Sequence, residues 1–294
     1  MKLRTIVLLV GGLLLVFAIT LAAVLLPVDQ TGEPKAEEQL TITNTQEETA
    51  MKPTETDAPA SAQVPDAATV STVTFPTTDN LTVTADLYWT GDATKPFIIL
   101  FHQARYSRGE YLEIAPKLNA LGYNCLAVDQ RSGSAANGIT NETAKAAKAA
   151  GLSTNYPDAY PDLEAALAYV VATYAPNRLI VWGSSYSSSL VLVLASEHPD
   201  EISAVLSFSP GEYFKLDDKK IADYAKNITQ PVFITSAKSE EKDWHPIADQ
   251  ITSAGSVFFV PQASGQHGSS TLNNNVSGHE EYWAAVEQFL ASLK

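Results

Sequence analysis

Cysteine is nearly absent from these 294 residues: the one thiol is Cys125. A single cysteine excludes an internal disulfide and any cysteine-built zinc site. It stands in the apolar run Tyr123 to Val128, which predicts a buried small hydrophobe. Basic residues are also scarce, nineteen Lys plus Arg against thirty-three Asp plus Glu, for a net charge of −14. A chain so acidic repels phosphate backbones and anionic lipid headgroups, so no nucleic-acid partner is expected. Much of the excess acid lies between Asp29 and Asp66, in a tail and not on a folded face. No internal repeat is present.

One long apolar run is present. Ile6 to Val28 reads IVLLVGGLLLVFAITLAAVLLPV without a charge, enough to cross a hydrocarbon core of about 30 Å as a helix. Lys2 and Arg4 precede it, while Asp29, Glu33, Glu37 and Glu38 follow. The charge asymmetry places the N-terminus in the cytoplasm and the rest of the chain outside. The run exceeds the apolar core of a signal peptide and closes without a small-residue cleavage site, which favours an uncleaved anchor. Residues 29–69, rich in Thr, Glu, Pro and Ala, bury too little apolar surface to offset chain entropy and are expected to form a disordered spacer. Three parts result: an anchor over 1–28, a linker over 29–69 and a folded domain over 70–294.

In the folded part, VSTVTFP and LTVTADLYW alternate as half-buried strands do. PFIILFH, NCLAVDQ, RLIVWG, ISAVLSFS, PVFITS and SVFFVP are continuous apolar runs. Between them fall helical patterns over Gly109 to Leu121, Asp162 to Tyr174, Ser187 to Glu197, Asp217 to Lys226, Pro246 to Ser253 and Glu280 to Leu293. Arg131 to Pro161 is a polar excursion containing the Ala/Lys helix Glu142 to Ala150. Apolar strands alternating with helices predict an α/β fold: a mostly parallel sheet of about eight strands, covered on both faces, with active groups on loops at the strands' carboxyl ends.

The stretch RLIVWGSSYSSSLVLVLASEHP sets a cluster of small residues between a buried strand and an apolar helix. This is the layout of a nucleophile elbow, Gly-x-Ser-x-Gly, in which the serine sits on a strained turn and its neighbours must be small. The match is Gly183-Ser184-Ser185-Tyr186-Ser187, with Ser187 in place of the second glycine. Spacing selects Ser185 as nucleophile over Ser184, Ser187, Ser188 and Ser189.

With FHQARYSRGEY after the third strand, AVDQRSG after the fourth, GSSYS at the elbow and SGQHG near the end, the chain resembles the α/β-hydrolase superfamily over nearly all of residues 70 to 294. It is most similar to the dienelactone-hydrolase-like and small esterase members with little or no cap. Dienelactone hydrolases proper carry a cysteine nucleophile, so their substrate is not transferred to a chain with Ser185. The resemblance implies His267, on a glycine-flanked loop before the last helix, as the base that activates Ser185. It places the triad acid on the loop AKSEEKDWHP, where family spacing selects Glu240, with Glu241 and Asp243 in reserve. It also implies an oxyanion hole from the backbone N–H groups of Tyr186 and Ala104, with Gln103 as the alternative to Ala104. His102 is expected to be structural, and His198, His245 and His279 to lie at helix ends without a catalytic role.

These readings imply a membrane-anchored serine hydrolase outside the cytoplasm, a carboxylesterase acting on a small-molecule ester through Ser185, His267 and Glu240. No cofactor and no metal are called for. The competing expectation is a catalytically silent hydrolase fold serving as a binding or scaffold domain.

Overall fold

The computed structural model describes residues 69–293. The anchor assigned to 1–28 and the linker after it lie outside the described residues, except that Thr69 opens the first strand and so belongs to the fold. Among the described residues no helix is long and apolar enough to cross a membrane.

Eight strands form one sheet: β1 (Thr69–Pro76), β2 (Thr82–Trp89), β3 (Phe97–Phe101), β4 (Asn124–Val128), then, after the small hairpin β5 (Ala135–Ala136) and β6 (Ile139–Thr140), β7 (Leu179–Ser184), β8 (Ala204–Phe208), β9 (Val232–Thr235) and β10 (Val257–Phe258). Their order is β1-β2-β4-β3-β7-β8-β9-β10. β1 and β2 pair antiparallel, β2 meets β4 antiparallel, and the remaining pairs are parallel. The alternating sequences thus form the antiparallel edge, and the continuous apolar runs form the parallel centre, where both faces are covered.

Successive side chains of each central strand enter different cores. Phe97, Ile99 and Phe101 of β3 pack with α3 (Tyr160–Tyr174), α4 (Tyr186–Glu197) and α6 (Glu241–Ala248), through Leu163, Leu167, Leu190, Val193, Trp244 and Ile247. Ile98 and Leu100 pack on the other face with α1 (Ile114–Ala120) and α7 (His279–Ser292), through Leu118, Trp283, Val286 and Phe289. Cys125 is fully buried in this second core. Burial holds its thiol well above the usual range, so it packs as a small hydrophobe.

Four segments differ from expectation. The pattern Gly109 to Leu121 divides into a 3-10 turn, Arg108–Tyr111, and α1. The excursion holds α2 (Glu142–Ala149) together with the β5–β6 hairpin, which its sequence did not announce. The polar insert forms only the short α5 (Ile221–Ala225), preceded by a turn closed by Leu216 and Lys219. α6 begins at Glu241, five residues before the proline read as its start, and carries Pro246 inside it. Burial of Trp244 and Ile247 against the core outweighs the one backbone hydrogen bond that the proline removes.

Candidate active site

Every candidate group stands on a loop at the carboxyl end of a parallel strand. Ser185 follows β7 directly, with φ 58 and ψ −123. This strained conformation is held from two sides, by Ser185 N–H donating to Phe208 O at 2.8 Å and by Ser188 N–H donating to Ser185 O at 2.9 Å. The turn demands glycine at 183: a Cβ there would lie 2.3 Å from Ser187 O. It does not demand glycine at 187. The Ser187 hydroxyl donates to His102 O at 2.6 Å and accepts from Gln130 Nε2 at 2.5 Å, tying the elbow helix to the loops after β3 and β4.

The structure brings Ser185, His267 and Glu240 together. Ser185 Oγ lies 2.7 Å from His267 Nε2, and His267 Nδ1 lies 2.7 Å from Glu240 Oε1. The second carboxylate oxygen, Oε2, accepts from Ser209 Oγ at 2.7 Å, and Ser209 Oγ in turn accepts from Gly268 N at 2.9 Å. The hydrogen bond from Glu240 raises the imidazole pKa, outweighing partial burial. Burial works to raise the Glu240 carboxyl, but the hydrogen bonds from His267 and Ser209 outweigh it and the net shift is downward. Carboxylate and imidazole therefore favour each other's charged forms. Glu241 reaches His245 instead, at 3.2 Å, and none of the hydrogen bonds to the His267 ring involves Asp243. Of the three acids open in the sequence, Glu240 occupies the site.

The two N–H groups on the loop after β3 are engaged differently. Gln103 N–H is committed to Glu110 Oε2 at 2.7 Å, so it is turned away from the nucleophile. Ala104 N–H has no acceptor among the described residues. Tyr186 N–H stands at the first position of α4, where no intrahelical acceptor exists. The Tyr186 ring is fixed by stacking on Tyr156, centroids 4.6 Å apart, and by its hydroxyl on Ser132 O at 3.0 Å.

His102 is fully buried. Nδ1 bonds Gln103 O at 2.8 Å, while Nε2 accepts from Gln130 N and from Asn141 Nδ2, each at 3.0 Å. One donating and one accepting nitrogen define a neutral ring, and burial pushes its pKa down to about 4. His198 pairs with Glu201, and His279 bonds Val276 O. With His245 on Glu241, none of these histidines joins the site. No group of three or more His, Cys, Asp or Glu among the described residues could hold a metal.

Three site residues escaped the sequence reading. Ser209 follows β8 with φ 56; its signal is the tripeptide Ser-Pro-Gly at a strand end beside the acid loop. Glu110 lies in the conspicuous SRGEY segment and is buried behind the oxyanion loop. Its Oε2 accepts Gln103 N–H, and its Oε1 accepts Gln103 Nε2 at 3.2 Å and Ser184 Oγ at 2.8 Å. Ser184 Oγ accepts Ser269 N–H at 2.8 Å, and Gln103 Nε2 reaches Ser270 Oγ at 2.8 Å. One carboxyl thereby links the loop after β3, the elbow and the histidine loop. Burial pushes its pKa up to about 7 against the pull of those hydrogen bonds. The third, Tyr213, lies on the insert after β8, where its hydroxyl donates to Ser209 O at 2.7 Å. By contrast, the groove of about 550 Å³ between β10 and α7, lined by Val257, Phe259, Ala285 and Phe289, lies at the far sheet edge and includes none of the triad side chains.

The strand order, the elbow and the loops at the carboxyl ends of β7, β9 and β10 define an α/β hydrolase. The model of the serine aminopeptidase S33 family matches residues 92–256, more than half of the chain, and the chain belongs to that family of serine hydrolases. The match includes Ser185 and Glu240 and ends before His267. A search among curated proteins finds no match. Among solved structures, the esterase Pf2001 of Pyrococcus furiosus superposes with a TM-score of 0.55 at 18% identity, covering 76% of this chain and 90% of that one. A dienelactone hydrolase from Anabaena variabilis gives 0.60 at 13% identity, covering 76% and 98%. Est1E from Butyrivibrio proteoclasticus gives 0.55 at 15%, covering 76% and 98%. At these identities the likeness is one of fold.

Proposed function

We propose that this protein is a carboxylic ester hydrolase acting through Ser185, His267 and Glu240. The observation that carries the reading is the unbroken pair of 2.7 Å links from Ser185 Oγ through the two ring nitrogens to Glu240. Ser185 Oγ attacks the ester carbonyl carbon while His267 Nε2 takes its proton. The negative charge on the carbonyl oxygen meets the N–H groups of Tyr186 and Ala104, donors fixed before the reaction begins. Collapse expels the alcohol, which takes the proton back from His267, and leaves an acyl group on Ser185. Water then releases the acid by the same steps in reverse roles. Glu240 holds the imidazole with Nε2 toward the serine and stabilises the imidazolium as it forms. Strain, base, acid and donors gathered at one end of the sheet support an enzyme over a silent scaffold, and the esterases of like fold support an ester over an amide.

The Ile6 to Val28 run, with Lys2 and Arg4 before it, supports a domain tethered on the outer side of a membrane. Protease protection in intact cells tests the topology: a folded domain shielded until the membrane is broken overturns it. For the chemistry, the test is labelling by a fluorophosphonate together with hydrolysis of p-nitrophenyl acetate. Wild type should do both, Ser185→Ala neither. A wild type that does neither overturns the ester hydrolase reading, and labelling that survives in Ser185→Ala moves the nucleophile to another serine.

A further inference from the structure

The reaction above gives Glu110 no task, yet the residue is 1% exposed and no ion pair among the described residues includes it. Burying such a group is costly unless its oxygens are satisfied. Here they are. Oε2 accepts Gln103 N–H at 2.7 Å, while Oε1 accepts Ser184 Oγ at 2.8 Å and Gln103 Nε2 at 3.2 Å. The 3-10 turn that carries the carboxyl is itself tied to the ends of β3 and β4: Tyr111 Oη donates to Phe101 O at 2.7 Å, and Arg108 N–H donates to Asp129 Oδ1 at 2.7 Å. Glu110 is therefore a fixed post to which the residue before the nucleophile and the residue before Ala104 are both fastened.

Two successive peptide units of the loop after β3 are held by buried partners. In the unit joining His102 to Gln103, the carbonyl accepts from Ser187 Oγ at 2.6 Å and the N–H is taken by Glu110. In the unit joining Gln103 to Ala104, the carbonyl accepts from His102 Nδ1 at 2.8 Å and from Tyr106 N–H at 3.2 Å. A trans peptide sets its N–H opposite its C=O. With that carbonyl turned to the buried His102 ring, the Ala104 N–H is turned the other way, and it meets no acceptor among the described residues. The bond from Gln103 N–H to Glu110 fixes the first unit and, through Gln103, the aim of the second.

We propose that Glu110 is a positioning residue of the oxyanion hole: by holding Gln103 N–H and Ser184 Oγ on one carboxyl, it sets Ala104 N–H against the carbonyl oxygen of an ester bound at Ser185. The inference rests on the ester hydrolase reading above. Glu110 touches neither the substrate nor the reacting atoms and acts through Gln103. Its effect belongs to the transition state, because a donor aimed at a developing anion gains little from a neutral carbonyl. Glutamine cannot stand in for it. An amide has one acceptor oxygen and one donating nitrogen, so either Gln103 N–H or the pair Ser184 Oγ and Gln103 Nε2 would face another donor, and the loop would lose its fixed aim.

The test uses the full chain and compares two ketones as inhibitors of p-nitrophenyl acetate hydrolysis, in wild type and in Glu110→Gln. With trifluoroacetophenone, Ser185 Oγ adds to the ketone carbon, its proton passes to His267 Nε2, and the ketone oxygen becomes an anion in the oxyanion hole. Acetophenone has the same skeleton and stays neutral. In Glu110→Gln, kcat/KM and the affinity for trifluoroacetophenone should fall together, about ten- to hundredfold for a misaimed donor. Affinity for acetophenone should stay within about twofold, since it binds without the anion. The end point of fluorophosphonate labelling counts active sites, so a partly folded variant is corrected for. Glu110→Asp keeps the charge on a side chain one methylene shorter; it should show the same split at smaller size, and it serves if Glu110→Gln does not fold. Unchanged affinity for trifluoroacetophenone per active site overturns the proposal, as does an equal loss for both ketones, the mark of a merely structural role. A wild type that neither labels nor hydrolyses the ester overturns the hydrolase reading and this one with it, whereas an active wild type whose variants show no split overturns this one alone.

Discussion

Ser209 Oγ donates to Glu240 Oε2 at 2.7 Å, on the oxygen opposite the one that faces His267. Both carboxylate oxygens are thereby engaged, and Ser209 Oγ also receives Gly268 N–H, next to the histidine. Acid and base are aligned through one hydroxyl. Replacing Ser209 by alanine should lower kcat/KM about tenfold and stability by about 1 to 2 kcal/mol, because Gly268 N–H loses its buried acceptor. Steady-state kinetics alongside urea denaturation check this. A variant with wild-type kinetics removes Ser209 from the alignment of the triad.

In the proposed mechanism the raised pKa of His267 sets the acid limb of activity. The base works only when neutral, so kcat/KM should fall off at a pH above the usual 6.5 of a free imidazole. In Glu240→Gln the limb should move downward, since the hydrogen bond to a carboxylate is the larger cause of the shift. The plateau should also drop by roughly three to four orders of magnitude, as when the acid of a triad becomes an amide. A pH profile of both proteins decides it; an acid limb that stays in place separates Glu240 from the titration.

Glu110 gives a pH dependence of stability with a definite sign. Its folded pKa, about 7, stands above the ordinary carboxyl value of 4.5. The unfolded chain therefore loses this proton first, and the stabilisation that Glu110 contributes in acid is lost as pH rises from about 4.5 through about 7. The loss is at most about 3 kcal/mol from the shift itself. Between those limits the unfolding free energy of wild type should fall with rising pH relative to that of the uncharged variant Glu110→Gln. A difference that is constant with pH excludes titration of Glu110 in that range.

Gly268→Ala should disable the site without touching a triad side chain. Gly268 has φ +67, and a Cβ there would lie 2.3 Å from Ser184 Oγ, so the histidine loop must shift. Backbone strain at such a position costs roughly 1 to 3 kcal/mol. A fluorophosphonate labelling rate lower by at least about tenfold is expected for a base displaced by about 1 Å. Unaltered labelling argues that the loop absorbs the methyl elsewhere.

Asp162→Ala tests the frame beneath the site. Asp162 is fully buried and receives Arg131 N–H at 2.7 Å and Arg131 Nη2 at 2.8 Å. Removing it leaves a buried guanidinium with only Asp79, at an expected cost of about 3 to 5 kcal/mol. Thermal and denaturant unfolding measure the effect. A loss below 1 kcal/mol on that scale means that Asp79 and solvent suffice for Arg131.

What the sequence disclosed follows from the range of the forces involved. Parallel strands buried on both faces read as apolar runs, so β3, β4, β7, β8 and β9 were legible. β10 was legible in place but not in length, because only Val257 and Phe258 pair with β9 while the apolar run extends further. Ser185 was legible because steric crowding at an elbow acts on its immediate neighbours. Glu240, Glu241 and Asp243 carry the same charge within four positions, and only the path of the loop decides which meets His267; in the structure it is Glu240, a meeting that local chemistry does not encode. Ser209, Glu110 and Tyr213 were silent for a different reason. Each owes its role to partners far along the chain, as Ser184 lies 74 residues from Glu110, and no local pattern encodes such a meeting.

The loops around Ser185 are joined largely through serine: Ser184, Ser187, Ser209, Ser269 and Ser270 are all buried and hydrogen-bonded across different strand ends. A hydroxyl donates once and can accept as well, so each joins one loop to another, as Ser184 does between Ser269 N–H and Glu110 and Ser209 between Gly268 N–H and Glu240. The surroundings of His267 are thus a set of dipoles already aimed: polar without being fluid, with little left to rearrange when charge appears on the ring.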